Sequence, residues 1–119
     1  MIERLDISGV HLQVDDDLRK YVHKKVGHLD RYIPKHNRLS AHAEVKLKET
    51  KAKDKKECTC EVVLYLPHEV VSVQESTVNM YAAVDIAEAK LKSQLNKYKS
   101  IHANPKLHRR LLIRLRRMA

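Results

Sequence analysis

Apolar residues recur at helical spacing in two stretches of this chain and alternate with polar ones in four others. Over 79–99, Val84, Ala87, Leu91, Leu95 and Tyr98 form the stripe of one long amphipathic helix. Asp85 and Glu88 lie in its early turns and Lys97 and Lys99 near its end, a polarity that suits the helix dipole. A first helix carries Leu18, Val22, Val26, Leu29 and Ile33 at spacings of three and four. Asp15, Asp16 and Asp17 offer its N-cap and first-turn acids, and Pro34 stops it. Tyr21, Lys25 and Tyr32 flank that stripe.

The alternating stretches predict strands. Residues 1–8 place Leu5 and Ile7 on one face, and Gly9 ends the run. In 38–48, Leu39, Ala41, Ala43, Val45 and Leu47 face one way and Ser40, His42, Glu44, Lys46 and Lys48 the other. In 57–66, Cys58, Cys60, Val62, Leu64 and Leu66 share the apolar face. Residues 69–75 turn Val71 and Val73 inward. Residues 49–56 are too charged to pack, which predicts a mobile hairpin loop; Pro67 and His68 predict a second turn. Pro105 ends or kinks the second helix.

The order is strand, helix, three strands, helix. The fold class is therefore α+β: a β-α-β-β-β-α domain with a four-stranded sheet and both helices on one face. The other face, with His42, Glu44, Lys46, Thr59, Glu61 and Tyr65, stays wet.

With 119 residues, five Tyr and neither Phe nor Trp, the chain must build its core from aliphatic residues. Its net charge of +9 points to a polyanionic partner. Residues 104–119 contribute +6 of that and contain no acid, so 1–103 is expected to be a mildly basic domain and 104–119 a basic arm. No apolar run approaches the roughly 20 residues of a membrane span. The acidic start of the chain is unlike a signal peptide, so a cytoplasmic protein is expected. Cys58 and Cys60 have no second cysteine pair to complete a zinc site and are read as buried thiols.

Enzyme machinery is missing from the pattern. There is no Gly-rich phosphate loop, no Gly-x-Ser-x-Gly and no His-Glu-x-x-His. His23 and His28 lie about 140° apart on a helix, too far round to share a metal. The row Asp15–17 reads as capping rather than metal binding. No catalytic residue, metal or cofactor is expected.

The basic positions are more orderly. Lys20, His23, Lys24, Lys25, Gly27, His28 and Arg31 lie on or beside the outward side of the first helix. On the second, Lys90 and Lys97 share one stripe and Lys92 and Lys99 another. With both helices on one sheet face, these cations are expected to rim a common groove suited to phosphate backbones. Tyr65, alone on the wet face, makes no base-stacking platform. In the arm, Leu107, Leu111, Leu115 and Met118 share a helical face among Arg109, Arg110, Arg114, Arg116 and Arg117. Basic amphipathic segments of this kind bind RNA, membranes or a partner groove.

The wording of the helices adds a resemblance. Met80-Tyr-Ala-Ala-Val-Asp85, Lys90-Leu91 and Gln94-Leu95-x-Lys97-x-Lys99 resemble the signature of the ribosome hibernation-promoting factors, also called ribosome-associated inhibitors or sigma-54 modulation proteins. Leu18-Arg19-x-Tyr21-Val22-x-Lys24-Lys25-Val26 with Leu29, Arg31 and Tyr32 resembles that family's first helix. The resemblance covers residues 1 to about 102 and implies a fold similar to double-stranded RNA-binding domains. It implies a factor that binds the small ribosomal subunit, and the intact ribosome, through rRNA at the messenger RNA channel and tRNA sites. Ribosomes are thereby kept inactive under stress or in stationary phase, without a cofactor, a small-molecule substrate or a membrane. The protein is expected to be a monomer off the ribosome.

By position, the implied rRNA-binding residues are Arg19, Lys24, Lys25, Arg31, Lys90, Gln94, Lys97 and Lys99; their neighbours Lys20, His28 and Lys92 join them on charge. Ser93 departs from the family pattern, where many relatives have Arg, and Lys92 points elsewhere. Residues 75–79 are less acidic than usual. A short form of the family, with a basic arm rather than a second domain after the second helix, is expected. Two other readings of the residues remain open: a general structured-RNA-binding or RNA-chaperone module, and an interaction protein that uses its basic tail.

Overall fold

A computed structural model describes residues 2–52 and 54–102. The elements are β1 (Arg4–Val10), α1 (Asp16–Gly27), short 3-10 helices at His28–Tyr32 and Lys35–Asn37, β2 (His42–Ala52), β3 (Lys55–Leu66), β4 (Glu69–Thr77) and α2 (Met80–His102). The strands form one sheet in the order β1-β2-β3-β4. β1 pairs parallel with β2 across the α1 connection, and the β2-β3 and β3-β4 pairs are antiparallel hairpins. The β-α-β-β-β-α order of the sequence reading is the observed one.

Period-two alternation places one face of each strand in the core. Ala43, Val45 and Leu47 of β2, Cys58, Cys60, Val62, Leu64 and Leu66 of β3, and Val71 and Val73 of β4 are buried. The helices close over that face. Leu18, Val22 and Val26 of α1 are buried, as are Val84, Ala87, Leu91, Leu95 and Tyr98 of α2. Asp15 caps α1, its Oδ1 accepting from the Leu18 N–H at 2.7 Å. Asn79 caps α2 by accepting from the Tyr81 N–H at 2.8 Å.

Four details depart from the expectation. The α-helix stops at Gly27, and the apolar stripe continues through a 3-10 turn, so Leu29 and Ile33 are buried from a different backbone. Ile33 is extended (φ −103, ψ 134), as a residue before proline must be. Leu39 is not an inward strand residue: it lies in the turn before β2 and is 85% exposed. β1 runs through Gly9 to Val10; the glycine is needed because a Cβ there would meet the Leu12 carbonyl oxygen at 2.3 Å. The charged segment 49–56 is mostly strand, with β2 and β3 paired up to Ala52 opposite Lys55, and the turn uses Asp54 at φ 67. Charge predicted a loop because that hairpin has no core to alternate against.

Tyr98 ties the far end together. Its hydroxyl accepts from Asn37 Nδ2 at 2.9 Å and donates to the Pro67 carbonyl at 3.0 Å. Asn37 is a buried polar residue, so losing this partner is costly. Tyr98→Phe is expected to destabilise the fold by about 1–3 kcal/mol. A urea midpoint unchanged from the parent would contradict that. The buried Cys60 thiol is pushed up to about 12 by desolvation, which keeps it neutral and inert.

Candidate nucleic-acid interface

The two helices run side by side in the same direction. Tyr21 of α1 meets Tyr81 and Asp85 of α2, Lys25 meets Asp85 and Glu88, and Tyr32 meets Lys92. The seam is built from specific contacts. The Tyr21 hydroxyl donates to Asp85 Oδ1, and the Tyr21 and Tyr81 rings pack edge to face with centroids 4.9 Å apart. Lys25 Nζ lies 3.5 Å from Asp85 and 3.8 Å from Glu88, and 5.6 Å from the centre of the Tyr21 ring. Asp85, read from the sequence as a dipole-matching acid, is thus the anchor that fastens α1 to α2.

Beside this seam lies a groove of about 180 Å³ lined by Lys24, Lys25, His28, Leu29, Arg31, Tyr32 and Glu88. That is smaller than the roughly 300–1,000 Å³ of small-molecule pockets. Its rim is cationic. Arg31 Nε donates to the His28 carbonyl at 3.2 Å, which fixes the guanidinium at the mouth. Lys92 Nζ of α2 sits 5.3 Å from the centre of the ring of Tyr32, one of the lining residues. Lys99 follows Lys92 on the same helical stripe, seven residues on.

The structure divides the remaining candidates. Lys90 pairs with Glu75 of β4, on the flank of α2 that faces away from α1. Gln94 and Lys97 share that flank by helical spacing. So α2 does not present all its cations to a common groove: the two-residue step from Lys90 to Lys92 is about 200° of rotation. Arg19, Lys20, Lys24, Lys92, Lys97 and Lys99 make no ion pair with a described residue, whereas Lys25 and Lys90 are held by acids. Arg19, Lys20, Lys24, His28 and Arg31 are exposed, and Gly27 is buried rather than outward. The arm residues Arg109, Arg110, Arg114, Arg116 and Arg117 lie outside the described residues.

Sequence reasoning missed the roles of Tyr21 and Tyr32 as ring platforms for Lys25 and Lys92. Their positions beside the apolar stripe were the available signal. On the wet face, Tyr65 is not alone: His42 stacks on it at 5.2 Å, and its hydroxyl donates to Glu44 at 3.3 Å. Among the described residues no group of three His, Cys, Asp or Glu is placed to hold a metal ion. No described helix is long and apolar enough to cross a membrane.

The Tyr21–Asp85 bond also makes stability sensitive to alkali. Asp85's acceptance of the hydroxyl proton, with some burial, pushes Tyr21 up to about 12, and Cys60 lies equally high. Unfolded, these groups ionise near 10.0 and 9.0. The folded state therefore holds the extra protons between those limits, and stability falls as pH rises from 9 through 12. Tyr21→Phe is expected to make that fall shallower. Urea midpoints between pH 8 and pH 11 that do not change in either protein would contradict it.

The domain is thus α+β, with two helices side by side on one sheet face that carry exposed cations. The chain belongs to the family described as sigma 54 modulation protein / S30EA ribosomal protein, whose sequence model matches residues 5–102. It is similar to the ribosome hibernation promotion factor of Lactococcus lactis, with 29% identity over 97 residues, 82% of this chain and 50% of that protein. It is 31% identical to the Staphylococcus aureus protein of the same name, over 82% of this chain and 48% of that one. The chain thus spans about half the length of the curated relatives it matches. Among solved structures, the N-terminal domain of Protein Y from Thermus thermophilus superimposes with a TM-score of 0.65 and 33% identity, covering 82% of this chain and 97% of that domain.

Proposed function

We propose that residues 1–103 form the ribosome-binding unit of a hibernation factor, and that it silences ribosomes by occupancy rather than by catalysis. In this reading the basic faces of α1 and α2 rest on rRNA of the small subunit, at the messenger RNA channel and tRNA sites. The bulk of the domain then excludes messenger RNA and tRNA. The observation that carries the reading is the family match across 5–102, which spans both helices and every strand of the sheet. The electrostatics support it, because phosphates ask for spaced, unpaired cations and the helices present Arg19, Lys20, Lys24, Lys92, Lys97 and Lys99 in that state.

The protein acts in the cytosol, where its partner is, without a cofactor. Residues 104–119 add sequence-independent RNA affinity through their arginines. The test is cosedimentation of the purified chain with ribosomes and separated subunits at low and moderate salt. Stoichiometric binding to the small subunit and the intact ribosome is expected. Smearing over all RNA, lost together as salt rises, would replace this reading with that of a general RNA binder.

A further inference from the structure

β2 and β3 outrun the sheet that contains them. β1 stops pairing at Val10, opposite Lys48, and β4 at Thr77, opposite Cys58. Beyond the Glu49–Cys58 rung the two strands pair only with each other, through Thr50 with Glu57, Lys51 with Lys56, and Ala52 with Lys55. The result is a two-stranded ribbon that leaves the domain at the end where α1 and α2 begin. At about 3.4 Å per residue its paired strands reach roughly 10 Å past the sheet. Lys99 lies about 29 Å along α2 from Met80, at the opposite end of the domain.

The ribbon is basic. Residues 46–57 hold Lys46, Lys48, Lys51, Lys53, Lys55 and Lys56 against Glu49, Asp54 and Glu57. Lys48, Lys51, Lys55 and Lys56 are exposed. Lys56 lies 3.6 Å from Glu49, yet it also stands directly across the ladder from Lys51. Like charges directly opposite each other destabilise a strand pair. A free ribbon does need charged side chains to deter pairing with other strands, but acids serve that purpose as well as lysines. A surplus of lysine with a like-charge rung is a cost to the fold that an anionic ligand would offset.

We infer that this ribbon is a second RNA-contacting element, in which Lys48, Lys51, Lys55 and Lys56 engage the phosphate backbone of an RNA segment separate from the one under the helices. The inference rests on the ribosome-binding reading above. Phosphate suits the ribbon better than a protein surface does. Residues 48–57 contain no aromatic or large aliphatic side chain, the anchors that protein interfaces use. The same lack excludes base stacking and leaves backbone contact.

The test is Lys48→Gln, Lys51→Gln, Lys55→Gln and Lys56→Gln combined in the full chain. It is titrated over a range of salt against small ribosomal subunits and against protein-free small-subunit rRNA. A helix-face variant with Lys24, Arg31 and Lys92 replaced is run beside it. The ribbon variant is expected to lose at least about tenfold in affinity at low salt on both targets. The slope of log Kd against log salt should fall by about three units. Lys51→Gln with Lys56→Gln, which removes the like-charge rung, serves if the fourfold variant fails to fold, and should lower the slope by about 1.5 units. Unchanged affinity and slope, with the helix-face variant weakened, would overturn the inference and leave the proposed function standing. Weakening on subunits but not on bare rRNA would assign the ribbon to a protein and overturn it too. Parental binding by both variants would sink the ribosome-binding reading itself.

Discussion

Lys24→Glu, Arg31→Glu and Lys92→Glu together are expected to weaken binding to the small ribosomal subunit by about a hundredfold or more. Each of these cations lines or overlooks the groove between the helices, and none is consumed by an ion pair with a described acid. A charge-assisted contact to phosphate contributes about 1.5–3 kcal/mol, and reversal adds repulsion to the loss. The salt slope should also fall by about three units. Folding is expected to survive, because all three side chains are exposed. By contrast, Lys25→Ala should act mainly on stability, because its ammonium is held between Asp85 and Glu88. A triple variant that binds within threefold of the parent would remove the helix groove from the interface.

Leu91→Ala is expected to destabilise the fold by about 2–5 kcal/mol. Leu91 is fully buried between α2 and the sheet, and the core of this chain contains no Phe or Trp to fill a gap. Against a typical total of roughly 5–15 kcal/mol, such a loss leaves a substantial unfolded population on warming. Ser93→Ala, two residues away and exposed, should stay within about 0.5 kcal/mol of the parent. The comparison is read from urea midpoints. Equal midpoints for the two variants would mean that the stripe of α2 does not carry the core.

The stripes that fixed those two helices were legible because burial enforces period. Every residue of the Leu18-to-Ile33 and Val84-to-Tyr98 stripes is buried, even where α1 gives way to a 3-10 turn, since the turn keeps the same side inward. The alternation of β3 and β4 was legible for the same reason. Leu39 was misplaced because alternation was extended past the point where the chain enters the sheet. The strands of the ribbon escape that signal because they pair through backbone hydrogen bonds and charged side chains, which leave no mark on the hydrophobic pattern.

The cations of the site could be named from the sequence but not sorted. Lys25 and Lys92 look alike on a helical wheel. Only the packing of α1 on α2 reveals that one is held by Asp85 and Glu88 while the other rides over Tyr32. Lys90 likewise gained its partner from β4, an element whose distance along the chain says nothing about its position in space.

The most direct measurement is competition between the full chain and a short messenger RNA for purified small ribosomal subunits. Binding of a labelled messenger RNA would be followed as the protein is added. Messenger RNA is expected to be displaced as the subunits become saturated at one protein each, and the triple helix-face variant to displace it only at about a hundredfold higher concentration. Messenger RNA that stays bound on subunits saturated with the protein would contradict silencing by occupancy.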